Sequence, residues 1–250
     1  MKSAEEWFLT NGLQINKTKT NYLLFKTKHP NLKVESWSCE SCSELKWVDY
    51  TKFLGLYVDN TLSWAIHIED LCRKLSKACF ALRNLRNYLK LSLLLMVYHA
   101  NFESHLRLGI IAWGCNSDLE KIFIIQKRAI RIMLKMPPRD SCRGCFRSLN
   151  ILTAAALYIW EVVIYLRKYP QIAIKYKYKH HYGTRSKHYI LPKHHLSMYE
   201  NSPLYAAILF YNKMTDELKM LNVDTFKRAF KSYLINMEPY TVDEYLNFPM

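Results

Sequence analysis

Apolar residues recur at alternating three- and four-residue spacing through Ile68, Leu71, Leu75, Ala78, Leu82, Leu85 and Leu89. That period puts one apolar stripe on one helix face. Arg73, Lys74, Lys77, Arg83, Arg86 and Lys90 fall off the stripe, and Thr61 or Ser63 is placed to cap its start. A second helix is predicted from about Ser92 to Leu108, stopped at Gly109. Ser117-Asp118-Leu119-Glu120 has the spacing of a capping box and opens a third, from Leu119 to Met136. Ile122, Ile125, Ala129, Ile130 and Met133 form its apolar face, and Pro137-Pro138 ends it. A fourth spans about Thr153 to Lys168.

The two ends read differently. Residues 1 to 12 predict a short helix carrying Trp7 and Phe8 on its apolar side, with Asn11-Gly12 as its stop. Short β-prone runs follow at Leu13–Asn16, Asn21–Lys26, Lys33–Trp37 and Phe53–Asp59, with residues 38 to 51 a loop or an irregular strand. Residues 175 to 195 break the periodicity. That stretch is basic, aromatic and histidine-rich, contains no acid, and predicts a loop or extended arm. Helix returns at Asn201-Ser202-Pro203, a cap followed by proline at the first helical position, and runs to about Leu221. Asp224 starts another, through about Leu234. No internal repeat is present.

Composition narrows the function classes. The net charge is +15 and the pI about 9.4. An excess of this size points to a polyanionic partner, nucleic acid or an anionic membrane surface. Insertion into a membrane fits poorly: the longest apolar run, Ile151 to Trp160, stops at Glu161, short of the roughly 20 residues a spanning helix needs. The opening MKSAEEWF carries acids where a signal peptide is apolar. With seven cysteines, an odd number, these features predict an intracellular protein with reduced thiols, the nucleus included as a compartment. Six glycines allow few tight turns, which again favours helix.

Several strings occur in an informative order. NGLQINKTKT at residues 11 to 20 is followed by KFLGLYVDNTLSWAIHI, then by YHANFESHLRLGIIAWG, QKRAIRIM and SCRGCFRSLNILT. YGTRSKHYILP, YENSPLYAAILFYNKM and TFKRAFKSYL complete the series. Alone, each string reads as a hairpin, a buried strand or an amphipathic helix. In this order they resemble the C-terminal part of a Jockey-type non-LTR retrotransposon reverse transcriptase: the end of the palm, the thumb and the region downstream.

The resemblance implies roles for particular residues. Lys19 matches a lysine near the incoming triphosphate, which would act by charge or as an acid on the departing pyrophosphate. Phe53, Leu54 and Gly55 match the primer-grip turn, with the glycine letting the backbone pass close under a primer end and Phe53 and Leu54 anchoring the turn in the core. The helices from residue 64 onward match the thumb, which holds an RNA–DNA template–primer duplex. Family chemistry uses two magnesium ions held by palm carboxylates in an aromatic-x-Asp-Asp turn. No Asp-Asp pair occurs in this sequence. Those carboxylates would precede residue 11, so the chain is expected to hold nucleic acid without polymerising, with no cofactor or metal of its own.

Charge placement adds to this from the residues themselves. Lys121, Lys127, Arg128, Arg131 and Lys135 share the non-core surface of one predicted helix, and Arg83, Arg86 and Lys90 that of another. Two basic faces on neighbouring helices predict sequence-independent, salt-sensitive phosphate contacts. Cys39/Cys42 and Cys142/Cys145 each have zinc-knuckle spacing, but the pairs are far apart and lack ribbon-type flanks, so unliganded thiols are the favoured reading. His180, His181, His188, His194 and His195 read as companions of the lysines rather than ligands. No phosphate-binding glycine loop or nucleophile–base set is present.

The predicted fold is mainly α with a small N-terminal β-containing segment: a palm remnant over 1–60, a thumb-like helical domain over 61–170, and a basic region with two or three helices over 171–250. A domesticated basic module that binds nucleic acid or protein is the alternative. A peripheral membrane protein is the third. The sequence does not set the oligomeric state.

Overall fold

The computed structural model describes residues 2–16, 19–25, 46–176, 189–195 and 197–248. They are mainly helical, with a few short strands near the N-terminus. The chain packs as two units, residues 1–67 and 68–250.

In the first unit, α1 (Lys2–Thr10) ends where Gly12 turns left-handed, φ 67°. The Leu13 amide reaches Phe8 O and the Gly12 amide Leu9 O, the paired bonds that satisfy a helix's last carbonyls. Leu13–Asn16 forms no strand. Of Asn21–Lys26, the described residues 21–25 contribute only β1 (Asn21–Tyr22), which pairs parallel with β2 (Lys46–Trp47). Lys33–Trp37 lies outside the described residues.

Phe53–Asp59, read as one strand, is instead the tip and second arm of an antiparallel hairpin, β3 (Tyr50–Phe53) with β4 (Leu56–Asp59). The reason is local. Leu54 (φ 48°) and Gly55 (φ 87°) both adopt left-handed backbone, the two-residue turn whose twist matches paired strands. Glycine accepts that conformation freely; leucine pays strain for it.

The carboxylate of Asp59 organises the chain that follows. It accepts from the Thr61, Ser63 and Trp64 amides at 2.8–3.0 Å and from the Thr61 and Ser63 hydroxyls. Leu62 and Trp64 are left-handed here, so these bonds hold a strained turn leading into α2 (Ala65–Leu85). Burial raises the Asp59 pKa, but the bonds from Ser63, Thr61 and Trp64 outweigh it and keep the carboxyl below its ordinary value.

The second unit begins within α2, whose stripe of Ile68, Leu71, Leu75, Ala78 and Leu82 is buried as the spacing predicts. The predicted Ser92–Leu108 helix is a composite: α3 (Leu91–Val97), a π-helical turn (Tyr98–Glu103) and α4 (Ser104–Arg107). Gly109 then turns at φ 63° and leads into α5 (Ile110–Trp113). Next come α6 (Leu119–Met133), α7 (Cys145–Ser148) and α8 (Ala154–Lys168), followed by a 3-10 segment (Pro170–Tyr176). After α9 (Ser197–Glu200), the helix predicted to reach Leu221 breaks at Met214-Thr215 into α10 (Pro203–Lys213) and α11 (Asp216–Met220). α12 (Val223–Met237) starts at an Asn222 cap, and α13 (Val242–Asn247) is a helix the spacing did not reveal.

The apolar helix α8 is the centre, with α5, α6, α10, α12 and α13 packed on it. Packing is therefore continuous across residue 170. Thr153 caps α8 by accepting the Ala156 amide, and Ser202 caps α10 by accepting that of Tyr205. Gln126, fully buried on α6, donates to Tyr98 Oη and Leu152 O and accepts the Ala154 amide, at 2.8–2.9 Å. One amide side chain thereby joins the π-turn, α6 and the start of α8, and all its bonds are to buried groups.

Candidate nucleic-acid interface

The basic positions of α6 follow from its core positions. With Ile122, Ile125, Gln126, Ala129, Ile130 and Met133 facing inward, Ile124, Arg128, Arg131 and Lys135 line up on the opposite side at helical spacing. α2 lies alongside, and the Cys79 thiol donates to Ile125 O across the contact at 3.7 Å. Burial pushes that thiol up to about 11, with Arg128 and Arg83 pulling against it. Arg83 and Arg86, near the C-terminal end of α2, therefore face the basic row of α6.

Between them runs an open cleft of about 680 Å³, lined by Arg83, Arg86, Arg128, Arg131 and Lys135. Its remaining described wall is Ile124, Ile132, Met136, Pro137 and Pro138, so no acid lines it among the described residues. None of the five cations is ion-paired with a carboxylate among the described residues. Arg131 is oriented by donating Nε–H to Asp140 O at 2.9 Å.

The end of α6 shapes one rim. The helix stops at Met133, three residues short of the predicted end, and before Pro137 is reached. Lys135 is left-handed (φ 55°); its amide bonds Ile132 O, and the Met136 amide bonds Arg131 O. This is the glycine-type helix stop with lysine in glycine's place, at a cost of about 1 kcal/mol. It leaves the Lys135 side chain at the rim.

Other predicted contacts do not join the cleft. Lys121 sits 2.9 Å from Asp118, whose hydrogen bond raises the lysine pKa. The predicted capping box is not made: Asn116 Oδ1 takes the Asp118 amide instead. Lys127 is over the rings of Phe123 and Tyr240, at 4.7 and 5.7 Å. It lines a second hollow, of about 810 Å³, whose lining also includes Glu120, Glu200, Asp243 and Glu244. Lys90 is exposed at the start of α3, away from the cleft.

In the first unit, Lys19 is exposed in a short turn, its amide bonded to Asn16 O and Oδ1. Phe53 and Leu54 do not anchor the hairpin in a core: they are 63% and 80% exposed. A turn with left-handed backbone at both positions sits at the tip of the hairpin, beyond the paired residues that could be covered. Lys17, Thr18, Cys39, Cys42, His180, His181 and His188 lie outside the described residues.

The Cys142-Arg-Gly-Cys145 string has a structural use that its spacing did not suggest. Gly144, at φ 80°, gives its amide to both oxygens of the buried Glu238 carboxylate at 2.9 and 3.0 Å. Arg143 stacks 3.6 Å from the Tyr240 ring centroid and donates to Glu238 O and to Glu244. The loop so clasps the chain between α12 and α13. The two thiols point elsewhere, to Lys127 O and to Met136 Sδ, and burial raises the pKa of each. Among the described residues no three His, Cys, Asp or Glu side chains gather as a metal site. No described helix is long and apolar enough to cross a membrane.

No family model, no curated protein and no solved structure matches the chain.

Proposed function

We propose that this chain holds nucleic acid through the cleft between α2 and α6, as the duplex-gripping C-terminal part of a retrotransposon-type reverse transcriptase. The observation that carries the reading is the grouping of Arg83, Arg86, Arg128, Arg131 and Lys135 around one concave surface with no acid among its described lining residues. Cations held near one another without internal carboxylate partners repel, and a row of phosphates relieves that repulsion while releasing counterions. In this reading α2 to α6 belong to the thumb, the first unit is the end of the palm, and the Leu54-Gly55 tip is available to a primer because it is exposed. Lys19 would lie on the pyrophosphate side of the complete enzyme's centre. The two magnesium ions and the carboxylates that bind them belong to that complete enzyme.

The test is binding of a fluorescent RNA–DNA duplex by the purified chain, with nucleotide incorporation measured in parallel. Micromolar or tighter binding at low salt, without incorporation, is expected. Absence of binding overturns the holding role, and incorporation by the chain alone overturns the assignment of the chemistry elsewhere.

A further inference from the structure

The two most exposed aromatic rings among the described residues of the second unit are Phe80, at 64%, and Tyr88, at 86%. They bracket Arg83 and Arg86, the two arginines that the end of α2 gives to the cleft. Phe80 precedes Arg83 by three residues, so the two are neighbours on one helix surface, about 4.5 Å apart along the axis. Tyr88 follows Arg86 by two residues, in the turn that closes α2, where the Tyr88 and Leu89 amides both bond Leu85 O. Neither ring packs on another aromatic ring among the described residues. A single exposed ring is ordinary on a protein surface. A ring at each end of an arginine pair that lines a basic cleft is not.

Phosphate contact accounts for the arginines but not for the rings. Rings left in water beside cations suit a ligand that carries anionic groups and flat apolar faces at the same short repeat. A nucleic-acid strand is such a ligand where its bases are unpaired; within a duplex those faces are already stacked on one another. An acidic protein surface would satisfy the arginines and offer no flat faces to the rings. We propose that Phe80 and Tyr88 stack on unpaired bases, so that the ligand of this site is a duplex that continues into a single strand. Arg83 and Arg86 take the strand's phosphates and the two rings take its bases. This rests on the nucleic-acid reading of the cleft and adds to it which part of the nucleic acid reaches the end of α2.

The experiment titrates the full chain, at fixed salt, with one DNA duplex bearing a short single-stranded overhang in two forms. One overhang carries bases; the other is abasic, with the same number of phosphates and therefore the same charge. The base-bearing form is expected to bind about tenfold more tightly, the effect of stacking on an aromatic side chain. The double variant Phe80→Ala, Tyr88→Ala is expected to erase that difference and to leave affinity for the abasic form within twofold. The double variant Phe80→Tyr, Tyr88→Phe keeps both rings and is expected to keep the difference. Both positions are exposed, so melting temperatures are expected to stay near that of the parent. Equal binding of the two overhangs overturns the stacking while leaving the holding role intact. A difference that survives the double alanine variant means that bases are read elsewhere, and overturns it too. Binding of neither form, or preference for anionic phospholipid vesicles over both, overturns the stacking and the proposed function together.

Discussion

Arg143 and the arginines of the α2–α6 cleft are alike in sequence and opposite in circumstance. Arg143 is held by a ring at 3.6 Å, a carbonyl and a carboxylate, all within the chain. Arg83, Arg86 and Arg128 have no carboxylate partner among the described residues and share one concave surface. The first is a structural part whose charge is neutralised where it sits. The others carry charge that no carboxylate among the described residues neutralises. A net charge of +15 sums both kinds. Only their partners separate the cation that fixes a loop from the one that can receive a phosphate.

The sharpest way to test the contrast is to remove charge from the cleft. The double variant Arg83→Gln, Arg128→Gln is expected to weaken duplex binding by about a hundredfold at low salt, on two lost charge-assisted contacts. Its melting temperature is expected to stay near that of the parent, since both side chains are exposed. Calorimetry and a binding titration on the same sample check both halves.

Arg143→Ala should do the reverse. It removes the stack on Tyr240 and leaves Glu238 O and Glu244 short of a donor, for a loss of about 2–3 kcal/mol in denaturant unfolding. Duplex affinity of the folded variant is expected to remain within twofold. A variant that unfolds too readily can be replaced by Glu244→Gln, which weakens only one of the contacts.

Acid should separate the two regions as well. Burial raises the Glu244 pKa, but its bonds from Arg143 and the Tyr240 amide outweigh this and hold it below the ordinary 4.5. A carboxyl lowered on folding contributes stability above its unfolded value and loses it as pH falls through the folded one. Asp59, lowered from 3.8, has the same sign. Stability is therefore expected to fall off below about pH 4.5, and Glu244→Gln is expected to flatten the part of that loss due to the clasp. No carboxylate lines the cleft among the described residues, so the acid-linked loss is expected to come from the clasp and the Asp59 turn.

The smallest effect is expected at Lys121, which shares a helix with the cleft residues but is paired with Asp118. Lys121→Ala should leave the unfolding midpoint unchanged and alter binding by less than twofold. A tenfold loss of affinity would mean that the pair opens to reach phosphate, and would blur the distinction between engaged and available cations.

Helical periodicity carried most of the second unit, because an apolar stripe must be buried wherever it occurs. It foresaw α2, α6, α8 and the cap at Ser202. It did not foresee the π-turn, which hides inside an unbroken apolar run, or the break at Met214-Thr215. The buried Gln126 left a trace in the sequence, a polar residue at a core position of α6. The clasp left almost none: Arg143 and Glu238 are far apart in the chain and meet only through the fold. In the first unit, the glycine after Leu54 completes a two-residue hairpin turn, and that turn leaves Phe53 and Leu54 uncovered rather than anchored in a core. Of the eight basic positions that the sequence marked for phosphate contact, the cleft unites Arg83, Arg86, Arg128, Arg131 and Lys135. The other three, Lys90, Lys121 and Lys127, have their own places, which helical spacing alone could not distinguish.

The most direct test of the account is the salt dependence of duplex binding. Five phosphate contacts at about 0.9 released ions each predict a slope of log K against log salt of roughly −4 to −5, shallower by about 2 in the Arg83→Gln, Arg128→Gln double variant. A slope near zero, or one that the double variant leaves unchanged, would contradict it.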